Sequence, residues 1–367
     1  MTKSIVSTEC LVLGGGLAGL ACAAEISKRG SNLVLVESEN ELCQHTSSHN
    51  SEVIHSGIYY KSSSLKAKFC LEGNALLYQY CEDRNIKHKK IGKLIVLCKD
   101  EATENLERIY ENGIKNKVPE ISIINKKMIR NLEPNVEADL AIHCGSTGII
   151  DSHTFSLSLQ AEIEENGGHI ITNAPFIKGK RNMNRWRIEI GGLSPCYVDC
   201  DYLINATGFN SINIGRELGI SDLKDPYYVL GHYYSYSGSS PFNRLIYPIP
   251  TAGGLGIHST MDLYGKTRFG PDSELIEKYD YKFLDSNNRK KKFNDSIKKY
   301  FPKFNLEKLM PDYTGIRTRL AIKHSEADFS ILSPKEHNID GLINIAGYES
   351  PGLTASLAMA RYVKGLI

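Results

Sequence analysis

Apolar residues gather in short, nearly unbroken runs at the two ends of the chain. Cys10-Leu11-Val12-Leu13 and Leu33-Val34-Leu35-Val36 open it, and Leu342-Ile343-Asn344-Ile345-Ala346, between Gly341 and Gly347, lies near its close. Runs of this length without alternation predict strands buried on both faces. A fourth run, Asp201-Tyr202-Leu203-Ile204-Asn205-Ala206-Thr207-Gly208, predicts a buried strand ending in small residues, where another backbone or a ligand comes close. Between the first two runs, Ala18, Gly19, Ala21, Ala23 and Ala24 predict a closely packed helix ended by Gly30. Ser64 can cap a helix reaching about Arg84, with Leu65, Phe69, Leu76 and Tyr80 on one face. Ile91 to Leu97 predicts a strand, and 101–117 a helix with charge around most of its surface. Asp151 is placed to cap a helix that buries Phe155, Leu159 and Ile163 and stops at Gly167-Gly168. From 169 to 200, short alternating runs such as Ile170-Ile171-Thr172 and Trp186-Arg187-Ile188-Glu189-Ile190 predict an antiparallel meander. Leu353 begins a last helix.

Two segments do not follow this pattern. Residues 119–148 are mixed. Residues 227–319 are rich in tyrosine, proline and short strand-like pieces, centred on Leu245-Ile246-Tyr247-Pro248-Ile249-Pro250 and the glycine-rich Gly253-Gly254-Leu255-Gly256-Ile257-His258. At 367 residues the chain can hold two domains, or one large domain with an insertion. Hydrophobic residues at 41% and charged ones at 23% describe an ordinary soluble globular protein. A net charge of +2 gives no reason to expect nucleic acid as a partner. The lysine run Lys290, Lys291, Lys292, Lys298 and Lys299 is read as a solvated helix face. No stretch is long and apolar enough to span a bilayer. The opening Met1-Thr2-Lys3-Ser4-Ile5 leads directly into a strand, so neither a signal peptide nor a transit segment is expected. Nine scattered cysteines without zinc-ligand spacing are read as reduced thiols of a cytoplasmic protein.

The chemistry is concentrated where the first strand ends. Gly14-Gly15-Gly16-Leu17-Ala18-Gly19 places Gly-x-Gly-x-x-Gly between strand and helix, and the second strand ends on Glu37. Gly14 permits the tight turn, Gly16 lets backbone approach a pyrophosphate, and Gly19 lets helix and strand pack closely. Glu37 stands where an acid binds a ribose hydroxyl, which argues against NADP. After it comes a polar loop, Cys43 to Ser51, dense in donors that suit anionic oxygens. Pro351-Gly352 leaves open backbone N–H groups at the start of the last helix, which suit an anion or equally an ordinary strand-to-helix corner.

These pieces imply one nucleotide domain built from separate segments. A discontinuous domain of this kind points to FAD rather than NAD, because the reactive ring of FAD extends to a domain interface. The fold expected is α/β: a Rossmann-like FAD-binding domain of 1–84, 151–219 and 325–367, with a mixed-sheet substrate domain of 85–150 and 220–324.

Several stretches carry a resemblance. The glycine motif at 14–19, His49-Asn50-Ser51-Glu52-Val53-Ile54-His55-Ser56-Gly57-Ile58-Tyr59-Tyr60, Ser64-Leu65-Lys66-Ala67-Lys68, Gly92-Lys93-Leu94, Ser146-Thr147-Gly148, Ile246-Tyr247-Pro248-Ile249-Pro250 and Gly347-Tyr348-Glu349-Ser350-Pro351-Gly352-Leu353-Thr354-Ala355 resemble the D-amino-acid-oxidase-like FAD oxidoreductases. More narrowly they resemble the L-2-hydroxyglutarate dehydrogenase/oxidase branch. Glu52 departs from it, standing where that branch has glycine. The stretch from Gly253 to Asp262 is similar to a sister group known only as FAD-dependent oxidoreductases, which leaves the exact substrate open.

The resemblance implies oxidation of a small 2-hydroxy acid, L-2-hydroxyglutarate first, by hydride transfer to flavin N5. Such a reaction needs a base for the hydroxyl proton and a cation for the carboxylate. His258 and His55 are the candidate bases, with His258 slightly preferred. Arg317, in Gly-Ile-Arg, resembles the substrate-carboxylate arginine, and guanidinium binds carboxylate in a fork. Arg268 or Arg319 would serve a second carboxylate, and Tyr60 and Tyr247 would line the pocket. For FAD, Gly14, Gly16 and Gly19 would hold the pyrophosphate and Glu37 the ribose. Ser47, Ser48 and Asn50 would lie between pyrophosphate and ring, and Thr207 and Gly208 at the end of the middle strand. Gly347, Gly352, Leu353 and Thr354 would sit under the isoalloxazine. The alternatives are an FAD amine or amino-acid oxidase of the same superfamily, or a flavin-binding subunit without turnover. The electron acceptor is left open among oxygen, a quinone and a carrier protein. A quinone would bring the otherwise cytoplasmic protein to the inner face of a membrane.

Overall fold

The opening strand, Ser4–Leu13, lies inside the first sheet, with a parallel partner on each side. A computed structural model describes residues 3–30, 32–99, 101–250 and 256–367, so Gly253, Gly254 and Leu255 lie outside the described residues. On one side Leu33–Val36 pairs in register Leu13 to Val36. On the other, Cys196–Asn205 pairs Leu13 to Asn205. All three strands thus end level, and in sheets of this kind ligands bind beyond the carboxyl ends. Leu342–Ala346 adds in parallel beside Leu203–Asn205, and Ser330–Leu332 pairs antiparallel to it.

The expected meander is shorter than the pattern suggested. Phe176–Asn182, Arg185–Ile190 and Cys196–Asn205 do form an antiparallel set. His169–Ile171 does not belong to it: it pairs in parallel with Leu33–Val36. It follows the helix Ser152–Glu165 and adds to the edge of the first sheet. Three residues are too few to display a period.

Helices Leu17–Ser27, Leu65–Asp83, Ser152–Glu165 and Gly352–Lys364 pack together on this sheet around a core that includes Leu20, Phe69, Phe155, Leu159 and Met359. Their caps follow the sequence: Ser64 Oγ accepts from Ala67 N at 3.1 Å, and Asp151 Oδ1 from Thr154 N at 2.9 Å.

The second sheet adds to the expected strand at 93–97 further strands from the two segments without a clear pattern. Lys93–Leu97 pairs in parallel with Leu245–Pro248 and antiparallel with Leu140–Cys144, which pairs in turn with Ile121–Asn125. On the far side, Tyr227–Tyr236 pairs along its length with Leu309–Arg319. Helix Asn287–Lys298 covers this sheet with Phe293 and Ile297 buried, while Lys291, Lys292 and Lys298 face solvent. A small third sheet, Val53–Ile54, Gly148–Ile150 and His88–Lys89, joins the end of the polar loop to the strand that precedes helix Ser152–Glu165. Among the described residues no helix is long and apolar enough to cross a membrane.

Candidate active site

A cavity of about 560 Å³ runs from the carboxyl ends of the first sheet to the face of the second. At its first end the glycines are required by geometry. Gly14 has φ +102°, and a Cβ there would lie 2.6 Å from the Ala206 carbonyl oxygen. A Cβ on Gly19 would fall 1.9 Å from the Gly14 oxygen, so this glycine sets how closely helix and strand approach. Gly16 caps the helix without any side chain, and Ser47 Oγ accepts from Leu17 N at 3.0 Å. Glu37 closes the turn: its Oε2 accepts from Gly15 N at 2.6 Å, and its Oε1 from Ser38 Oγ and Glu39 N, both at 2.9 Å. A carboxylate has about four acceptor sites, so capacity remains for a hydroxyl from the cavity. A helix N-terminus opened by glycine, glycines where side chains would intrude and a carboxylate one strand away fit the pyrophosphate and ribose of FAD.

The polar loop forms a wall. Asn50 Nδ2 donates to the Ser47 carbonyl at 2.7 Å and Asn50 Oδ1 accepts from Glu52 N at 2.7 Å. Tyr313 Oη donates to the Asn50 carbonyl at 2.6 Å, and Thr46 Oγ1 to that of Ile316 at 3.1 Å. These bonds tie the loop to strand Leu309–Arg319 of the second sheet. The opposite wall is the start of helix Gly352–Lys364, whose N-cap, Pro351, offers no side-chain bond.

At the far end the cavity brings His55, Tyr247, His258 and Arg317 together. His258 is buried and stacks on Tyr247, ring centres 3.9 Å apart at 16°. Its Nδ1 lies 3.0 Å from the Gly256 carbonyl, which fixes the proton there and leaves Nε2 as the acceptor. Burial drives its pKa down to about 3; the charges of Lys93 and Arg317 push the same way against the Gly256 carbonyl. The buried ammonium of Lys93 sits 4.7 and 4.8 Å from the ring centres of Tyr59 and Tyr247, its pKa lowered by burial. Arg317 Nη2 donates to the Asp272 carbonyl at 3.0 Å. Asp272 is itself held: Oδ1 accepts from His232 N at 2.8 Å and faces His232 Nδ1 at 2.9 Å, and Oδ2 accepts from Arg289 Nε at 2.9 Å. His55 Nε2 lies 3.4 Å from Ser350 Oγ.

Of the residues expected from sequence, Gly14, Gly16, Glu37, Ser47, Asn50, Thr207, Gly208, Gly352, Leu353, His55, Tyr247, His258 and Arg317 line the cavity. Gly19, Ser48, Gly347, Thr354, Tyr60 and Arg268 are not among its lining residues. Thr354 is buried behind the wall, where its Oγ1 accepts from His55 N at 2.9 Å and donates to the Val53 carbonyl at 3.3 Å. Tyr60 packs with Ala67 and Cys70. Arg268 is engaged by Asp312, Nε to Oδ2 at 3.1 Å, and by Asp262 at 3.8 Å. Lys93, Asp272 and Ser350 were not singled out. For Lys93 the signal was a lysine inside the apolar strand Lys93-Leu94-Ile95-Val96-Leu97.

A family model described as FAD dependent oxidoreductase matches residues 9–366. The mitochondrial L-2-hydroxyglutarate dehydrogenase of Arabidopsis thaliana is 35% identical to this chain over 399 aligned residues, spanning 97% of this chain and 82% of that protein. The protein of the same name from Dictyostelium discoideum is 32% identical, spanning 96% of this chain and 90% of that one. Among solved structures, a dithionite-reduced L-alpha-glycerophosphate oxidase from Mycoplasma pneumoniae with FAD bound is similar at a TM-score of 0.88 and 24% identity, over 98% of this chain and 94% of that one.

Proposed function

Since the chain belongs to the FAD dependent oxidoreductase family, we propose that this enzyme oxidises a small 2-hydroxy acid to the 2-oxo acid, with L-2-hydroxyglutarate as leading substrate. The observation that carries the reading is that a single cavity joins the dinucleotide cradle to a pocket holding Arg317, His258, His55 and Tyr247. The relatives named L-2-hydroxyglutarate dehydrogenase support the choice of substrate. Bound FAD supplies the hydride acceptor, at N5.

The chain's own residues do the rest. Arg317, fixed by the Asp272 carbonyl, clamps the carboxylate next to the reacting carbon. His258 presents Nε2 to the substrate hydroxyl and takes its proton as the C2–H leaves with its electron pair; His55, beside Ser350, is the second candidate. The stack of His258 on Tyr247 holds the imidazole in one plane. An amino acid would fill the same clamp, so it is the competing substrate class.

The test is a visible spectrum of the purified protein during anaerobic additions. L-2-hydroxyglutarate should bleach the flavin band, while D-2-hydroxyglutarate, glutamate and glycerol 3-phosphate leave it unchanged. Bleaching by glutamate or glycerol 3-phosphate alone would overturn the substrate and keep the cofactor. Reoxidation by oxygen, a quinone or a carrier protein then identifies the acceptor.

A further inference from the structure

Arg319, expected from sequence as a partner for a second carboxylate, takes no part in the hydride and proton transfers described above. Arg319 follows Arg317 by two residues on strand Leu309–Arg319, so both point to the same face, and both line the cavity. Arg319 is only 2% exposed, and its Nε and Nη2 meet no hydrogen-bond acceptor among the described residues. The near acid is Glu349, with Oε1 3.8 Å from Nε, and that oxygen is taken by the buried ammonium of Lys66. Among the described residues, the ion pairs of this buried cluster set two cations, Lys66 and Arg319, against the carboxylate of Glu349. Burial also pushes the Arg319 pKa down, with Glu349 opposing. A desolvated guanidinium with unfilled N–H groups is unfavourable unless an acceptor meets it.

The acceptor must come from the cavity. Glu349 lies in the turn that starts helix Gly352–Lys364, and Gly352 and Leu353 of its first turn line the same space. The partial positive charge of that helix start adds to the cluster. A substrate carboxylate would satisfy Arg319 only while substrate is bound. A resident cofactor satisfies it in every state of the cycle. Hydride transfer to N5 leaves the flavin with an added negative charge, which spreads over N1 and the C2 carbonyl, and a cation there favours the reduced form.

We propose that Arg319, together with the first turn of the closing helix, holds the N1–C2=O edge of the flavin and stabilises its reduced, anionic state. The proposal rests on the FAD assignment and not on the choice of substrate.

The test is a dye-equilibrated anaerobic redox titration of the holoprotein, which needs no substrate. R319M and R319Q should both lower the flavin midpoint potential, and R319K should restore most of it. The KM for L-2-hydroxyglutarate should not change. Glu349 keeps Lys66 as its partner in each variant, so the buried acid is never stranded. If R319M does not retain FAD, R319Q alone decides. An unchanged midpoint potential in the neutral variants would overturn the proposal. If that result came with a raised KM for L-2-hydroxyglutarate but not for L-lactate, Arg319 would instead be assigned to the substrate's second carboxylate.

Discussion

Glu52 shows how much one residue of the polar loop carries. Its φ of +55° is left-handed, a conformation that favours glycine and costs other residues about 1–2 kcal/mol. The side chain offsets that strain: Oε1 accepts from Ser152 N at 3.2 Å and from Ser152 Oγ at 2.8 Å, at the start of helix Ser152–Glu165. Glu52→Ala keeps the strain and loses both bonds, so it should lower stability by about 1–2 kcal/mol in chemical denaturation. Glu52→Gly loses the same bonds but relieves the backbone, and should cost less than the alanine variant. Equal losses would mean that the backbone conformation carries no strain. Sequence flagged Glu52 only as a departure from glycine; the backbone angle explains why glycine suits the position. Lys66 was equally legible in principle, as a charge on the buried face of helix Leu65–Asp83, but its partner Glu349 is 283 residues away. Pairings at that separation leave no periodic trace.

At the level of elements, the strand–glycine–helix–strand–acid unit was readable because every part is local. The same locality makes Gly19 the sharpest test. Gly19→Ala sets a methyl 1.9 Å from the Gly14 oxygen, so the helix has to leave the strand. Overpacking of this kind should destabilise by about 1–3 kcal/mol and strip the flavin, read as the absorbance ratio of flavin to protein. Gly16→Ala meets only Ser47 Oγ at 3.1 Å and should leave the fold more stable than Gly19→Ala does. If the two variants were equally stable, close packing would not be what Gly19 provides. Beyond the strand at 93–97, the second sheet was not readable, for a physical reason. In Tyr227–Tyr236 all but the first two residues are buried, so no alternation marks its two faces. Lys93–Leu97 pairs with Leu245–Pro248 about 150 residues on, and nothing in either segment names the other.

For the whole molecule, the buried site makes stability depend on acidity. His258 has a folded pKa of about 3 against 6.5 in the unfolded chain. Between those values the unfolded state binds the extra proton, so stability falls as pH falls below 6.5, by up to about 1.4 kcal/mol per unit. Asp272, lowered to about 2 from 3.8, stabilises above 3.8 and loses its contribution only below that. His258→Phe keeps a ring against Tyr247 but cannot titrate. Between pH 6.5 and 5.5 the natural protein should lose about 1 kcal/mol more than this variant, measured from urea midpoints. The histidines at 143 and 337, also lowered by burial, add to the slope of both proteins equally. Equal slopes would mean that His258 takes up its proton in the folded state at an ordinary pH. A last consequence comes from the strand order. Ser4–Leu13 is flanked by Cys196–Asn205, which in turn carries Leu342–Ala346, and helix Leu17–Ser27 rests on helix Gly352–Lys364, with Lys364 Nζ 2.8 Å from Glu25 Oε1. The opening strand is therefore made about 330 residues ahead of Leu342–Ala346, the strand that extends the same sheet beyond Cys196–Asn205. The cavity draws on residues from Leu13 to Leu353, so its dinucleotide end is assembled only once segments more than 300 residues apart have met.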